Sequence, residues 1–206
     1  GAGPFGSMLL ADLGAEVIKI EHPRDGGDVS RQTGPHFLGT DPATPDSQFF
    51  QSFNRNKKSL TLDLQTPAGQ QLLHRLVPRC DAVMNNLRGD QPQKLGLTHA
   101  RLGAIKPSLV CVHLSAYGRD NERASWPGYD YLMQAEAGYL HLTGEPDGPP
   151  ARMGLSMVDY MTGPTTAMAL LAGVWGAARS GRGGDLDISL FDQPEALAAL
   201  LAWAGL

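Results

Sequence analysis

The chain has few cysteines, and their placement argues against both disulfides and metal centres. Only Cys80 and Cys111 occur among the 206 residues. Each lies in or beside an apolar stretch, without the close spacing of metal ligands. Two such cysteines are typical of small buried side chains in a reducing compartment, so we expect a cytoplasmic protein. We expect no zinc or other metal site.

Long hydrophobic runs and excess positive charge are also missing. No segment approaches the roughly 20 apolar residues that a membrane-spanning helix requires, and the first residues show no targeting pattern. The formal net charge of -4 gives no reason to expect nucleic acid as a partner. We therefore expect neither a membrane nor a nucleic-acid partner, and any anion site should be local.

What the sequence does contain is a repeating helix and strand pattern in its first half. Hydrophobic periodicity and end signals predict helices at 5–13, 66–77 and 98–105, and strands at 15–20, 60–64, 81–85 and 109–114. Repeated β-α-β units of this length predict an α/β fold. The expected architecture for residues 1–125 is a Rossmann-like parallel sheet with helical crossovers.

The remaining region, residues 126–206, is predicted to be helix-rich and to continue the same large domain. Helices are expected at 129–142, at 162–178 and from 193 onward, with a strand at 186–190. The chain opens on a glycine turn with no strand before it and ends in an apolar stretch. We therefore expect a fragment of a longer protein, with a second, small domain absent from this chain.

Asp159 is the residue of greatest chemical interest. It lies between Val158 and Tyr160 in a segment otherwise free of charge, where a long apolar helix is about to begin. Burying such a carboxylate is costly, but helix dipoles can keep it ionised, and an ionised carboxylate can attack an activated acyl group. Alternatively, Asp159 merely caps the helix, because aspartate is a favoured N-cap residue. The segment by itself slightly favours the cap.

A dinucleotide site is a second possibility. Residues 1–6 match the G-x-G-x-x-G fingerprint, and Glu21 ends the next predicted strand, where an acid would bind a ribose. The strand that should precede the fingerprint is absent from the chain. A helix N-terminus after glycines also suits other phosphates.

Two polar segments lie beside predicted strands. Residues 55–58 place three cations just before one strand, either as phosphate contacts or as a solvated loop. Asn86 follows another strand, at the carboxyl edge where ligands bind in open parallel sheets. Neither segment is specific by itself.

Taken together, these segments resemble the class III CoA-transferases, which include formyl-CoA and carnitine CoA-transferases, and the related α-methylacyl-CoA racemases. The resemblance spans essentially the whole chain. It rests on several blocks that occur in the order typical of the family, namely 11–21, 54–59, the Gly-Tyr-Asp of 128–130, 143–150, 154–163 and 180–190.

The resemblance implies an enzyme that moves CoA from an acyl-CoA thioester to a small carboxylic acid, with Asp159 as nucleophile. CoA is then a substrate rather than a tightly bound cofactor, and the intact protein is a homodimer of interlocked subunits. Backbone amides near Gly163 would stabilise oxyanions. By position, the residues expected to contact CoA are Ala2, Arg31, Arg55, Lys57, Lys58, Asn86, Leu87 and Lys94.

Tyr129 separates the two branches of the family. Racemases carry histidine at this position of the Gly-x-Asp block, whereas this chain carries tyrosine, whose pKa near 10 makes it a poor proton shuttle at neutral pH. The sequence therefore favours transfer, with Tyr129 lining the acyl pocket. An acyl-CoA racemase and an inactive truncated fragment remain alternatives.

Overall fold

The computed structural model describes residues 1–39 and 46–196 of the chain. Its helices are α1 (Ala2–Asp12), α2 (Gln48–Asn54), α3 (Pro67–Leu76), α4 (Gln91–Lys94), α5 (His99–Leu102), α6 (Asp130–Glu136) and α7 (Met157–Ser180). Its strands are β1 (Val17–Glu21), β2 (Phe37–Leu38), β3 (Asp46–Ser47), β4 (Lys57–Thr61), β5 (Ala82–Asn85), β6 (Val110–Ser115) and β7 (Gly184–Ser189). Short 3-10 turns occur at Pro23–Asp25, Val29–Gln32 and Val77–Arg79. The helix expected from 193 onward is present over 192–196, and its continuation lies outside the described residues.

The predicted parallel α/β architecture is confirmed. β1 pairs with β4 in parallel, and β6 pairs in parallel with β5 on one side and β7 on the other. These strands form two separate parallel ladders, and β2 and β3 add a small antiparallel pair. β7 belongs to the helix-rich region predicted from residue 126, so that region completes the three-stranded sheet.

The three-stranded sheet separates two hydrophobic clusters. Along β6, Val110, Val112 and Leu114 face the first cluster, which includes residues of α6, α7 and β7. Cys111 faces the second cluster, which is built from α3, α5 and neighbouring loops. This alternation is the period of two expected for a strand with both faces buried. Both cysteines are free, as predicted.

His113 on β6 is a structural residue, as its apolar surroundings in the sequence suggest. Its ring is fully buried, and its Nδ1 lies 2.8 Å from the Asn85 amide on β5. Its Nε2 lies 2.8 Å from the Asp185 carboxylate on β7. Burial lowers the pKa of His113, with Asp185 opposing the shift. A neutral imidazole therefore joins all three strands.

Several predicted boundaries were wrong: the helix expected at 129–142 ends at Glu136, and two elements begin at other residues than expected. The strand expected at 60–64 is β4, which begins at Lys57, because its pairing with β1 runs from Val17–Lys57 to Glu21–Thr61. Leu62 lies beyond the strand and is buried in the second cluster. The helix expected from 162 begins at Met157 and continues through Pro164. In both cases tertiary contacts, rather than the local pattern, decide where the element begins.

Candidate functional site

The N-termini of α1 and α7 lie at the carboxyl edge of the parallel strands. Each of these helices leads directly into a strand, β1 and β7 respectively. A helix packed on a parallel sheet runs opposite to the strand that follows it, so its N-terminus reaches the edge where that strand ends. Ligands of open α/β sheets bind at this edge.

Two glycines allow α1 and α7 to pack closely. A Cβ atom on Gly6 of α1 would lie 2.5 Å from the carbonyl oxygen of Gly163 on α7. A Cβ on Gly163 would lie 2.8 Å from the Phe5 ring. We call Ala2, Gly6, Asp159 and Gly163 the α1–α7 junction. Gly163 is buried at this crossing, and the expectation that backbone amides near Gly163 or in a glycine loop stabilise an oxyanion stays a prediction.

Asp159 lies in the first turn of α7, three residues after the N-cap position, which Ser156 occupies. The interpretation of Asp159 as the helix cap was therefore wrong. Its carboxylate instead lies against the start of α1, where Oδ2 is next to Gly1 and the Ala2 N–H lowers the pKa of the carboxyl group. The side chain is only 15% exposed. Two helix N-termini thus meet at one nearly buried carboxylate, an arrangement that favours bound negative charge.

The surroundings of Asp159 act on its pKa in both directions. Burial raises the pKa above that of an ordinary aspartate, and the Asp130 carboxylate acts in the same direction. The Ala2 N–H opposes this shift. The net effect is a raised pKa. A more basic carboxylate in a desolvated setting is better suited to covalent catalysis.

Asp130 and Gln134 form a buried network beneath Asp159 that the sequence analysis missed. Asp130 Oδ2 accepts the backbone N–H of Asp159 at 3.0 Å, and Oδ1 accepts the Gln134 amide. Both side chains are on α6 and nearly inaccessible to solvent. Their i, i+4 spacing on a predicted helix was the available signal, because such residues are neighbours on one helix face.

Of three other predicted residues, Tyr129 and Asn86 lie on elements of this site, whereas Leu87 packs against the second cluster. Tyr129 directly precedes Asp130, is 60% exposed, and stacks on Tyr131 with ring centroids 5.8 Å apart. Asn86 packs against the first turn of α1, where a Cβ on Gly3 would lie 2.7 Å from the Cβ of Asn86. Leu87 is partly buried against the second cluster. The structure therefore brings Ala2, Asn86 and Asp159 together, with Tyr129 beside Asp130.

A shallow pocket of about 300 Å³ lies at the carboxyl ends of β1 and β4. Glu21, Arg31, Ser59 and Thr61 are among the residues that line it. Arg31 binds the Glu21 carboxylate through two hydrogen bonds of 2.7 and 2.8 Å and lies over the Phe50 ring. Together with the Ser59 hydroxyl and the Asp28 N–H, this pairing lowers the pKa of Glu21 to about 2. We call this the Glu21–Arg31 pocket.

The remaining predicted cations all have partners within the chain. Arg55 binds Asp12 at the C-terminal end of α1, and Lys58 lies 3.1 Å from Glu16. Arg55 and Lys58 therefore lie at the opposite end of α1 from Asp159. Residues 57 and 58 are the first residues of β4 and do not form a turn before it. Lys94 pairs with Asp90 at 2.6 Å. The structure does not bring Arg55 and Lys58 to the α1–α7 junction.

Lys57 has an internal role. Its ammonium donates to the carbonyl oxygens of Pro4 and Phe53 at 2.8 and 2.7 Å, joining the first turn of α1 to the end of α2. Burial lowers its pKa to about 7, and the charge of Lys19 adds to this effect.

The glycines of the dinucleotide fingerprint do not form a loop. Residues 2–12 are helical, Gly3 packs on Asn86, and Gly6 packs on Gly163. The Glu21 carboxylate, expected to bind a ribose, is instead held by Arg31 and Ser59. These contacts explain the fingerprint residues without a nicotinamide cofactor. Within residues 1–39 and 46–196, no cluster of histidine, cysteine, aspartate or glutamate is arranged to hold a metal ion.

Comparison with known proteins agrees with this architecture. The chain matches CoA-transferase family III over residues 1–204. It is 38% identical to the succinate–glutarate CoA-transferase of Agrobacterium fabrum over 199 residues, which cover 96% of this chain and 50% of that protein. It is 34% identical to the human succinyl-CoA:glutarate CoA-transferase, covering 98% of this chain and 44% of that protein. The chain belongs to CoA-transferase family III, and the predicted resemblance is confirmed.

Solved structures support the same assignment. The crystal structure of a CAIB/BAIF family protein from Brucella suis superposes with a TM-score of 0.90 at 35% identity, covering 98% of this chain and 53% of that chain. The chain thus spans about half the length of the relatives it matches. Among the helices that the structure describes, none has the length and apolar character needed to cross a membrane.

Proposed function

We propose that the protein transfers CoA from an acyl-CoA thioester to a free carboxylic acid, with Asp159 as the nucleophile. The observation that carries this proposal is the position of the Asp159 carboxylate, nearly buried where the N-termini of α1 and α7 meet. Membership in CoA-transferase family III and relatives named for succinate and glutarate support the substrate class. Small dicarboxylic acids are therefore the first acceptors to test.

The chemistry follows from a carboxylate nucleophile. Asp159 attacks the thioester carbonyl, the C–S bond breaks, and a mixed anhydride and CoA thiolate result. The thiolate attacks the aspartyl carbonyl, which leaves CoA on Asp159 as a thioester and releases the donor acid. An acceptor carboxylate then reverses these steps. The Ala2 N–H, which already contacts the Asp159 carboxylate, is placed to stabilise the oxyanions formed there.

The carboxyl edge of the strands supplies the surface along which CoA would lie. We propose contacts to CoA from Ala2 and Asn86 at the junction, and from Arg31 in the Glu21–Arg31 pocket at the same edge. Leu87, Lys94, Arg55, Lys57 and Lys58 stay predictions, and the internal partners of the four cations weaken them. Tyr129, exposed beside Asp130, is proposed to line the acyl pocket.

We also propose that the protein is cytoplasmic and that it forms a homodimer. A cytoplasmic location suits two free cysteines and substrates that are CoA thioesters. A homodimer is proposed from the resemblance to the family. Size-exclusion chromatography with light scattering measures the oligomeric state directly.

An acyl-CoA racemase is the second candidate, and Tyr129 weighs against it. A tyrosine at this position lacks the proton exchange at neutral pH that a histidine would supply. Incubating the protein with a chiral 2-methylacyl-CoA in deuterated water tests this point. Deuterium at the α-carbon at a rate matching turnover would move the protein to the racemase branch.

The test of the transferase proposal is Asp159→Asn. The amide keeps the shape of the side chain but lacks the nucleophile, so transfer from succinyl-CoA to glutarate should fall by roughly a thousandfold or more. The protein should form an adduct with acyl-CoA that is cleaved by hydroxylamine and visible by mass spectrometry, whereas the variant should form none. CoA affinity, measured by calorimetry, should change less than about threefold.

Asp81→Asn is a matched control, because Asp81 directly precedes β5 at the opposite, amino edge of the sheet and its side chain is 80% exposed. It should retain both the adduct and turnover. Near-normal turnover in Asp159→Asn would contradict the proposed nucleophile.

A further inference from the structure

Gln134 is a fully buried amide that the proposed chemistry does not use. Its side chain on α6 has no exposed surface, and burying an amide without partners is costly. Nearly every glutamine is placed at the surface unless its hydrogen bonds are satisfied inside. Its contacts therefore indicate what the fold uses it for.

Those contacts all lead to the segment that carries Asp159. The Gln134 Nε2 donates to the Asp130 carboxylate and to the carbonyl oxygen of Leu155, the latter at 3.3 Å. Its Oε1 accepts the backbone N–H of Met153 at 3.1 Å. Both backbone groups belong to the chain that leads into α7. Asp130 in turn accepts the backbone N–H of Asp159 at 3.0 Å.

We propose that Gln134, acting through Asp130, is a positioning residue that holds the first turn of α7 and thereby aims the Asp159 carboxylate. This inference rests on the proposed function, because the orientation of the Asp159 carboxylate affects catalysis only if that carboxylate reacts. We call the hydrogen bonds made by Gln134 and Asp130 the bridge. The bridge holds the start of α7 and the chain before it at three points, namely the backbone groups of residues 153, 155 and 159. A nucleophile that is misplaced by about 1 Å can lose roughly a hundredfold in rate.

The polarity of the bridge allows a reciprocal test. In Gln134→Glu the amide donor becomes a carboxylate facing Asp130, so the bridge is lost and two negative charges oppose each other. In the double variant Asp130→Asn with Gln134→Glu, the new amide at 130 donates to the carboxylate at 134. Its oxygen still accepts the Asp159 N–H. The contacts with residues 130, 153 and 159 are thus restored with reversed polarity at 130–134, while the hydrogen bond to the Leu155 carbonyl oxygen stays lost.

Gln70→Glu is the matched control. Gln70 also donates its amide to two carbonyl oxygens, those of Leu64 and Leu95, at 2.6 and 3.0 Å. Leu64 and Leu95 pack against the second cluster, away from α7. The same substitution there removes the same kind of hydrogen bond without touching the bridge.

The first measurement is the rate of adduct formation at Asp159 from succinyl-CoA, at a temperature where all variants are folded. Gln134→Glu should slow this rate at least about tenfold, and the double variant should recover at least about threefold of that loss, the remainder reflecting the missing hydrogen bond to Leu155. CoA affinity should stay within about twofold in each. Gln70→Glu should leave the rate within about twofold.

The second measurement does not depend on catalysis. Amide hydrogen exchange over residues 153–160 should accelerate in Gln134→Glu and recover in the double variant, but should not change in Gln70→Glu. Unchanged exchange in Gln134→Glu, or an equal change in Gln70→Glu, would overturn the positioning role. A parent protein that forms no adduct would refute the proposed function instead, while exchange would still decide the role of the bridge.

Discussion

Glu21 and Asp159 are both nearly buried carboxylates at the carboxyl edge of parallel strands, yet their surroundings shift their pKa values in opposite directions. Glu21 faces the Arg31 guanidinium, the Ser59 hydroxyl and a backbone N–H, and its pKa falls to about 2. Burial raises the pKa of Asp159, whose neighbours include a second carboxylate, Asp130. Among the residues that the structure describes, no arginine or lysine side chain contacts Asp159.

This difference separates a carboxylate that stabilises the fold from one that is suited to react. A carboxylate that shares its charge with a bidentate arginine is a weak nucleophile, because its lone pairs are engaged. A carboxylate that lies at helix N-termini, without an arginine partner, keeps lone pairs available for nucleophilic attack. Desolvation and a like charge are the usual means by which active sites raise the pKa of an acid. The predictions below test this contrast through stability, from the largest expected effect to the smallest.

Glu21→Gln should cause the largest loss of stability. It leaves Arg31 without its anion partner, which should cost roughly 2–3 kcal/mol at pH 7, less than a fully buried pair because Arg31 is partly exposed. Glu21 has a lower pKa in the folded state, about 2 against 4.5 when unfolded. Its stabilisation is therefore complete above about pH 4.5. It is lost as the pH falls toward 2.

Urea denaturation of the parent and of Glu21→Gln at several pH values measures this difference. The gap in unfolding free energy should narrow below pH 4.5. A gap that stays constant from pH 7 to pH 3 would show that the ion pair is not its source.

Gly6→Ala should disturb the α1–α7 junction. The added Cβ would lie 2.5 Å from the Gly163 carbonyl oxygen, so the two helices must move apart. Overpacking of this kind typically costs about 1–3 kcal/mol, and the shift of α1 should also slow adduct formation at Asp159. Thermal unfolding and the adduct rate measure the two effects.

Gly176→Ala is the control for this substitution. Gly176 also lies in a helix, α7, but a Cβ there would meet no atom within 4 Å. Alanine should therefore stabilise the protein by up to about 1 kcal/mol through helix propensity. Equal destabilisation by both variants would contradict the close helix crossing.

Asp159→Asn should slightly stabilise the protein at pH 7, in contrast to Glu21→Gln. The folded-state pKa of Asp159 is raised above 3.8, so keeping the carboxylate ionised costs stability at neutral pH, and a neutral amide removes this cost. The Tm should rise by at most a few degrees. The advantage should shrink as the pH falls and vanish below the ordinary aspartate pKa, where the carboxyl is protonated in both states. A lower Tm for the variant at pH 7 would contradict the raised pKa.

Lys58→Met should have the smallest effect. Lys58 and Glu16 lie 3.1 Å apart, but their side chains are 69% and 66% exposed. Exposed ion pairs contribute little because water and salt screen them. We expect a change within about 0.5 kcal/mol in urea denaturation and no change in CoA affinity. A marked loss of CoA affinity would instead support the predicted contact of Lys58 with CoA.

Local signals in the sequence account for much of the fold. Thr66 and Pro67 predict the start of α3, and in the structure Thr66 accepts the Gly69 N–H as its cap. The nearly continuous apolar run at 109–114 predicts β6, whose two faces are both buried. Such signals depend on residues close together in the chain, and so they can be read without knowing which elements pack together.

The candidate site could be predicted only in part. The blocks that resemble the family identified Asp159 as the candidate nucleophile and gave Ala2 and Asn86 as CoA contacts, which the structure places near it. They also suggested Arg55 and Lys58, which lie at the far end of α1. The opposing charges of Asp12 and Glu16 were visible in the sequence, but which cation each would pair with depends on how α1 packs against β1 and β4.

The sequence by itself determined the α/β class, the family and the identity of the candidate nucleophile, since these follow from periodicity and short motifs. The tertiary structure alone decided that Asp159 lies in the first turn of α7 and receives the Ala2 N–H from α1. It also decided that Glu21 binds Arg31. The physical reason is that a carboxylate's charge and pKa are set by the groups that surround it in space. Asp130 and Ala2, distant from Asp159 in the chain, become its neighbours only when α1, α6 and α7 pack together.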